Sequence, residues 1–142
     1  MIRFTYQSFN TFNKIDEASS KRWLKSVIIS EGKKAGDIQY IFCNDNQLLI
    51  INEKFLNHNT FTDIITFPTT ENKEIISGEI YISVERVNEN CIKHKSTFKE
   101  EISRVMVHGI LHLIGYVDKQ ISEKAQMRSK EDYYLHLQTK FS

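Results

Sequence analysis

His108 and His112 stand four residues apart, and Asp118 follows soon after. On an α-helix, residues at that spacing project from one face about one turn apart, so both imidazoles can reach a single ion. Gly115 lies just beyond the second histidine, where a glycine ends a helix and lets the chain fold back over its terminus. That reversal returns Asp118 toward the imidazoles. Two nitrogen donors from a helix and one carboxylate from the returning turn make a three-donor site with a free fourth position, the layout of a catalytic zinc centre. The histidine pair alone fits a solvated helix face or hydrogen-bonded core imidazoles equally well; it is the glycine and the aspartate that favour a metal. Such donors suit nickel, iron or manganese as well as zinc.

The residue after His108 narrows the chemistry. In the metalloprotease pattern His-Glu-x-x-His, that position holds the glutamate that activates the attacking water. Here it is Gly109, so a peptidase would need its base elsewhere. A glycine inside a helix costs about 1 kcal/mol relative to alanine, which points to close approach of this helix to another element.

The elements that must position these residues are legible in the periodicity. Thr97-Phe98-Lys99-Glu100 is a capping box, and Phe98, Ile102, Val105, Met106, Ile110 and Leu113 recur at helical spacing, which predicts a helix from about Phe98 to Ile114. Upstream, Ile2, Phe4 and Tyr6 alternate as a strand, and Asp16 to Ser30 reads as a helix stopped at Gly32. A second strand carries Ile38, Tyr40 and Phe42. Asn44 or Asp45 caps a helix through Leu48, Leu49, Ile51, Asn52 and Phe55. Thr62 to Phe67 is β-branched and closes at Pro68, and Gly78 to Ser83 makes a fourth strand. Ser83 caps a helix with Val84, Val87 and Cys91 on its apolar face, and a last helix runs from about Ser122 to Leu137 with Ala125, Met127, Tyr134 and Leu135 as its apolar residues. The expectation is an α+β fold with a mixed sheet of about four strands packed with four to five helices, the metal pair on a zincin-like helix, and residues 1–142 forming one domain.

Composition bounds the remaining classes. The chain of 142 residues is 40% hydrophobic and 26% charged, with five glycines and one proline, which excludes disordered, collagenous and mucin-like chains. A net charge of +1 gives no global field that would draw nucleic acid or a membrane, so any basic surface is local. Lys93, His94, Lys95 and Lys99 form one such cluster, which reads as an RNA-phosphate contact or as a solvated surface with equal ease. Glu101 and Arg104 precede His108 on roughly its side of the helix, where they could orient an imidazole or touch substrate; ordinary helix-surface charge is their plainer reading. Cys43 and Cys91 lie far apart and outside any Cys-x-x-Cys unit, as reduced, packed thiols do. Apolar runs are too short to span a bilayer and the alternating first residues carry no leader pattern, so a cytoplasmic protein with no membrane partner is expected.

Several segments together resemble one family. His-Gly-Ile-Leu-His-Leu-Ile-Gly-Tyr-Val-Asp, from His108 to Asp118, is similar to the signature of the YbeY family of bacterial rRNA maturation factors with metal-dependent endoribonuclease activity. Thr62-Asp63-Ile64-Ile65-Thr66-Phe67-Pro68 and Gly78-Glu79-Ile80-Tyr81-Ile82-Ser83 resemble its two strand motifs, and Met127 and Glu131 match its final helix. The likeness extends from Leu48 onward. It implies one zinc ion held by His108, His112 and Asp118. It also implies ribosomal RNA and the small ribosomal subunit as partners, with no DNA or membrane, and cleavage of single-stranded RNA in maturation of the 16S rRNA 3′ end.

Two positions depart from the family pattern. Asp118 stands where the family has a third histidine; it is an acceptable oxygen donor, but its charge makes a bound water less acidic than three neutral imidazoles would. Leu56 stands where the family usually has an arginine implicated in activity, and leucine cannot clamp a phosphate. His58, two residues on, is a candidate donor or acid, and a solvated loop histidine is its plainer reading. An endoribonuclease is therefore the first expectation, a non-catalytic ribosome-assembly factor with a structural zinc the second, and a metal-dependent hydrolase of peptides or small molecules the third.

Overall fold

A computed structural model describes residues 1–7, 15–57 and 62–141. Its element order is β1 (Ile2–Tyr6), α1 (Glu17–Ser30), β2 (Lys34–Cys43), α2 (Asp45–Leu56), β3 (Ile64–Pro68), β4 (Ile75–Ser83), α3 (Val84–Lys93), α4 (Phe98–Ile114) and α5 (Ile121–Gln138), followed by a short 3-10 turn, Thr139–Phe141. Among the described residues, four strands and five α-helices make the expected α+β fold.

The strands form one mixed sheet in the order β1-β2-β4-β3. β1 and β2 pair in parallel, as do β2 and β4, while β3 runs antiparallel on the edge beside β4. Parallel neighbours need crossovers, and α1 supplies the first of them between β1 and β2. One face of the sheet presents Ile38, Tyr40, Phe42, Ile76, Ile80 and Ile82 to a core shared with Trp23, Leu24, Val27 and Ile28 of α1 and Ile102, Val105, Met106 and Ile110 of α4. The opposite face carries a smaller cluster in which Leu48 of α2 meets Cys43 and Ile65. Both cysteines are free and buried.

α4 lies at the centre. It packs against β3, β4, α1, α3 and α5, and the Tyr40 hydroxyl on β2 donates to the Met106 carbonyl at 2.7 Å. Its origin is fixed by the capping box: Thr97 accepts from the Glu100 amide at 3.1 Å, and the Glu100 carboxylate accepts from the Thr97 amide at 3.0 Å. A cap of this kind contributes about 1 kcal/mol. α5 is tied to α1 by the buried Trp23 indole, which donates to the Tyr134 carbonyl at 2.8 Å.

Three local expectations change. β2 begins at Lys34 and β4 at Ile75, earlier than alternation suggests, because Lys34 and Ala35 pair with Ile75 and Ile76 across the ladder, where Ile76 is buried in the core. Phe55 is 62% exposed; instead of entering the core it meets the ring of Phe67 edge-on at 5.9 Å. Ala125 is exposed on α5, whose buried residues are Met127, Glu131 and Tyr134. Among the described residues no helix is long and apolar enough to cross a membrane.

Candidate metal centre

α4 places both histidines within its last two turns, on the side that faces the chain's reversal. Gly115 caps the helix with φ of 126°, in the region open chiefly to glycine. A Cβ there would meet nothing within 4 Å, so backbone angle and not space selects the glycine. Its amide donates to the carbonyls of Leu111 and His112, and the Tyr116 amide donates to Leu111. The chain then turns back through Val117 to Asp118.

The three side chains converge. The Nε2 atoms of His108 and His112 are 2.9 Å apart, and the two Asp118 oxygens lie 3.4 Å from His108 Nε2 and 3.5 Å from His112 Nε2. Among the described residues, this is the one group of three or more His, Cys, Asp and Glu side chains whose donor atoms come together in this way. The side chains of His108, His112 and Asp118 are 20%, 25% and 37% exposed, so the group opens to solvent on one side.

The hydrogen bonds on the far side of each ring decide what the near side offers. His112 Nδ1 lies 3.0 Å from the Tyr116 carbonyl, which can only accept, so that nitrogen carries the proton. His108 Nδ1 lies 2.6 Å from the Glu131 carboxylate, which likewise accepts. Both neutral rings therefore turn an Nε2 lone pair toward the same point, with a carboxylate facing them. Three electron-rich groups with no donor between them repel one another unless a cation or a shared proton intervenes. Four-coordinate zinc at bonds near 2.0–2.1 Å spaces its donors roughly 3.3 Å apart, close to the separations observed. The donor set fits a divalent ion.

Electrostatics sharpen the difference between the two rings. Burial opposes charge on His108, but the Glu131 hydrogen bond and charge, helped by Asp118 and Asp63, outweigh it and hold its pKa above the ordinary imidazole value. Burial and the neighbouring His108 charge push His112 below that value, against the pull of Asp118. A proton on the metal-free pair therefore resides on His108. Asp63, just ahead of β3, has its carboxyl pushed upward by burial, with the His108 charge opposing. It is an acidic neighbour of the centre that helical spacing gave no means of finding.

Gly109 has a plain explanation. It is buried, and a Cβ on it would lie 2.9 Å from the Ile80 Cγ2 and 3.0 Å from the Ile64 Cδ1. The position that carries the general base in metalloproteases here faces the sheet, and the glycine lets α4 settle onto β3 and β4.

Glu101 and Arg104 are not free surface charges. Glu101 is buried and its carboxylate meets His94 Nδ1 at 3.2 Å. Arg104 donates to Glu131 at 2.8 Å and to Asp132 at 2.6 Å. Glu131, 4% exposed, thus accepts from Arg104 through one oxygen and from His108 through the other. This is the carboxylate–histidine arrangement that orients metal ligands. Of the basic cluster, His94 is engaged by Glu101, and Lys93, Lys95 and Lys99 remain exposed. Leu56 ends α2, 40% exposed. His58 lies outside the described residues.

Comparison with known proteins adds an independent line. A model of the YbeY family, described as endoribonuclease YbeY, matches residues 5–138. The chain is 50% identical to an endoribonuclease YbeY of Flavobacterium psychrophilum over 137 residues, 96% of each protein. It is 48% identical to that of Flavobacterium johnsoniae over 132 residues, 93% of each. The solution structure of TM1509 from Thermotoga maritima superposes with a TM-score of 0.65 at 28% identity, covering 95% of this chain and 87% of that one.

Proposed function

The chain belongs to the YbeY endoribonuclease family, and on that footing we propose that it is a metal-dependent endoribonuclease of one domain, residues 1–142. Its substrate on this reading is single-stranded ribosomal RNA of the small subunit, cut in the cytoplasm during 16S 3′-end maturation, with one zinc ion held by His108, His112 and Asp118. The observation that carries the metal is the convergence of three acceptor groups, with His108 Nε2 and His112 Nε2 only 2.9 Å apart. The family motifs from Leu48 onward support the RNA substrate.

When bound, the ion supplies a Lewis acid for the phosphodiester and lowers the pKa of water. The chain's own residues do the rest. Glu131 and the Tyr116 carbonyl hold the Nδ1 protons, which keeps both Nε2 lone pairs free and aimed. Asp118 adds negative charge from a partly exposed turn. The open side of the group admits a phosphate from solvent.

A second reading, an assembly factor in which the ion is structural, draws on Leu56: where the family resemblance leads one to expect a guanidinium, the leucine side chain at the end of α2 cannot clamp a phosphate. Incubating a single-stranded rRNA fragment with metal-loaded and chelated protein separates the two. The endoribonuclease cuts internally only when loaded; RNA binding without cleavage favours the assembly factor. Product ends then report the nucleophile, since attack by the ribose hydroxyl leaves a cyclic phosphate and attack by water does not.

The titration of the centre adds a pH dependence. Metal displaces protons from imidazole, and His108 keeps its proton to a higher pH than an ordinary histidine. As pH falls, apparent affinity is expected to drop by up to about tenfold per unit for each displaced proton, beginning above the ordinary imidazole value of about 6.5. Competition titration with a chromogenic chelator between pH 5.5 and 8 measures it; an affinity that does not fall with acid would exclude imidazole donors.

A further inference from the structure

Behind the two imidazoles sits a second cluster with a carboxylate at its centre. Glu31 is the C-cap of α1, and its side chain is 8% exposed. One oxygen accepts from the Tyr116 hydroxyl at 2.6 Å; the other accepts from the Tyr134 hydroxyl and from Lys130 Nζ at 3.1 Å. Lys130 also lies 5.5 Å over the Tyr116 ring. The carboxylate therefore fastens three elements: the end of α1, the exit turn of α4, and α5.

A carboxylate is an expensive choice for this position if joining elements were its only purpose. It sits at the negative end of a helix dipole and is largely removed from water. Burial alone would raise its pKa; hydrogen bonds from Tyr116, Tyr134 and Lys130 reverse the shift and keep the group ionised. An apolar side chain would hold α1 against α5 without these demands.

What Glu31 reaches is informative. Tyr116 is the residue whose carbonyl receives the His112 Nδ1 proton. Lys130 precedes Glu131, the residue whose carboxylate receives the His108 Nδ1 proton. One buried group is thereby connected to the outer partner of each imidazole, through the Tyr116 ring on one side and through the α5 backbone on the other.

We propose that Glu31 is a positioning residue of the metal centre, which fixes the direction of the His112 and His108 lone pairs by anchoring Tyr116 and Lys130. The role rests on the metal-centre reading above. It places a determinant of metal affinity 85 residues before Tyr116 in sequence, on a helix that contributes no ligand.

The test uses Co(II) as the probe, because its visible spectrum reports donor geometry, and compares the full chain with Glu31→Gln, Tyr116→Phe and Tyr134→Phe. Tyr116→Phe deletes the hydroxyl and keeps the carbonyl. In folded protein, Glu31→Gln and Tyr116→Phe are expected to weaken Co(II) binding by about tenfold or more and to alter its absorption bands. Tyr134→Phe, which also loses a hydrogen bond to Glu31 but does not touch the turn, should lower thermal stability with Co(II) affinity unchanged. In the metal-free state, two-dimensional ¹H–¹⁵N spectra of the imidazoles should show His112 protonated at Nδ1 in the parent and a mixture of tautomers in Tyr116→Phe. Should Glu31→Gln fail to fold, Tyr116→Phe alone decides. Unchanged affinity and spectrum in Tyr116→Phe, or an equal loss of affinity in Tyr134→Phe, would reduce the cluster to a structural brace and overturn the proposal. Failure of the parent protein to bind Co(II) would instead remove the metal-centre reading itself.

Discussion

Alanine in place of Asp118 is expected to abolish metal-dependent RNA cleavage while the protein remains folded. The side chain is 37% exposed, and among the described residues it meets the two imidazoles it faces, so the metal-free fold should lose no more than about 0.5 kcal/mol. Removing one of three protein donors should weaken metal binding by more than the roughly 10- to 100-fold that outer partners alone command. A Lewis acid supplies several kcal/mol of transition-state stabilisation, and at ~1.4 kcal/mol per decade its loss amounts to about three orders of magnitude in rate. The companion change Asp118→His exchanges an oxygen donor for the imidazole of the family pattern. It should retain the metal and, with less negative charge at the centre, shift the alkaline activity profile to lower pH. Cleavage assays at a fixed metal concentration just sufficient to load the parent, with RNA binding measured in parallel, check both variants. Asp118→Ala protein that binds and cuts like the parent would remove this residue from the site.

Glu131→Gln should be the most damaging single-atom change outside the donors. Both groups that reach Glu131 are donors: Arg104 at 2.8 Å and the His108 Nδ1 proton at 2.6 Å. A carboxylate accepts both. An amide offers one oxygen and one NH2, so either Arg104 or His108 must face a donor in a buried position. Breaking a buried charged pair from one side costs about 3–5 kcal/mol; because Arg104 keeps Asp132, the lower end of that range is expected in denaturant titration. Metal affinity should fall by about 10- to 100-fold. The His108 pKa should fall too, since the Glu131 hydrogen bond and charge are what raise it against burial. Unchanged metal affinity in Glu131→Gln would mean that the carboxylate serves the helix pair α4–α5 and not the imidazole.

Much of the centre was readable locally. A capping box at Thr97 and Glu100 set the start of α4, four-residue spacing put His108 and His112 on one face, and Gly115 implied the reversal that brings Asp118 back. Each of these signals acts within a few residues. Gly109 signalled a close approach but not its partner, because Ile64 and Ile80 belong to strands whose placement depends on sheet order. That order, β1-β2-β4-β3, is a property of long-range pairing and has no local signature.

The supporting residues were the least legible. Helical position allows Arg104 either surface charge or a part in orienting an imidazole, and nothing local decides between them, because its partners, Glu131 and Asp132, arrive from a helix more than 25 residues away. Glu131 matched a family pattern without a reason attached. Glu31 gave no signal at all: an acidic residue at a helix end is ordinary in sequence, and only the packing of α1 against α5 and the exit turn shows it to be buried and shared. Phe55 failed in the opposite sense, an apolar residue at core spacing that the last turn of α2 leaves in solvent.

The most direct measurement is X-ray absorption at the zinc edge of the reconstituted protein, repeated on Asp118→Ala. Two imidazole nitrogens and one carboxylate oxygen at about 2.0–2.2 Å, with one further light atom, are expected in the parent, and Asp118→Ala should lose an oxygen while keeping both imidazoles. Sulfur scattering from Cys43 or Cys91, or a shell without imidazole, would contradict a centre built from His108, His112 and Asp118.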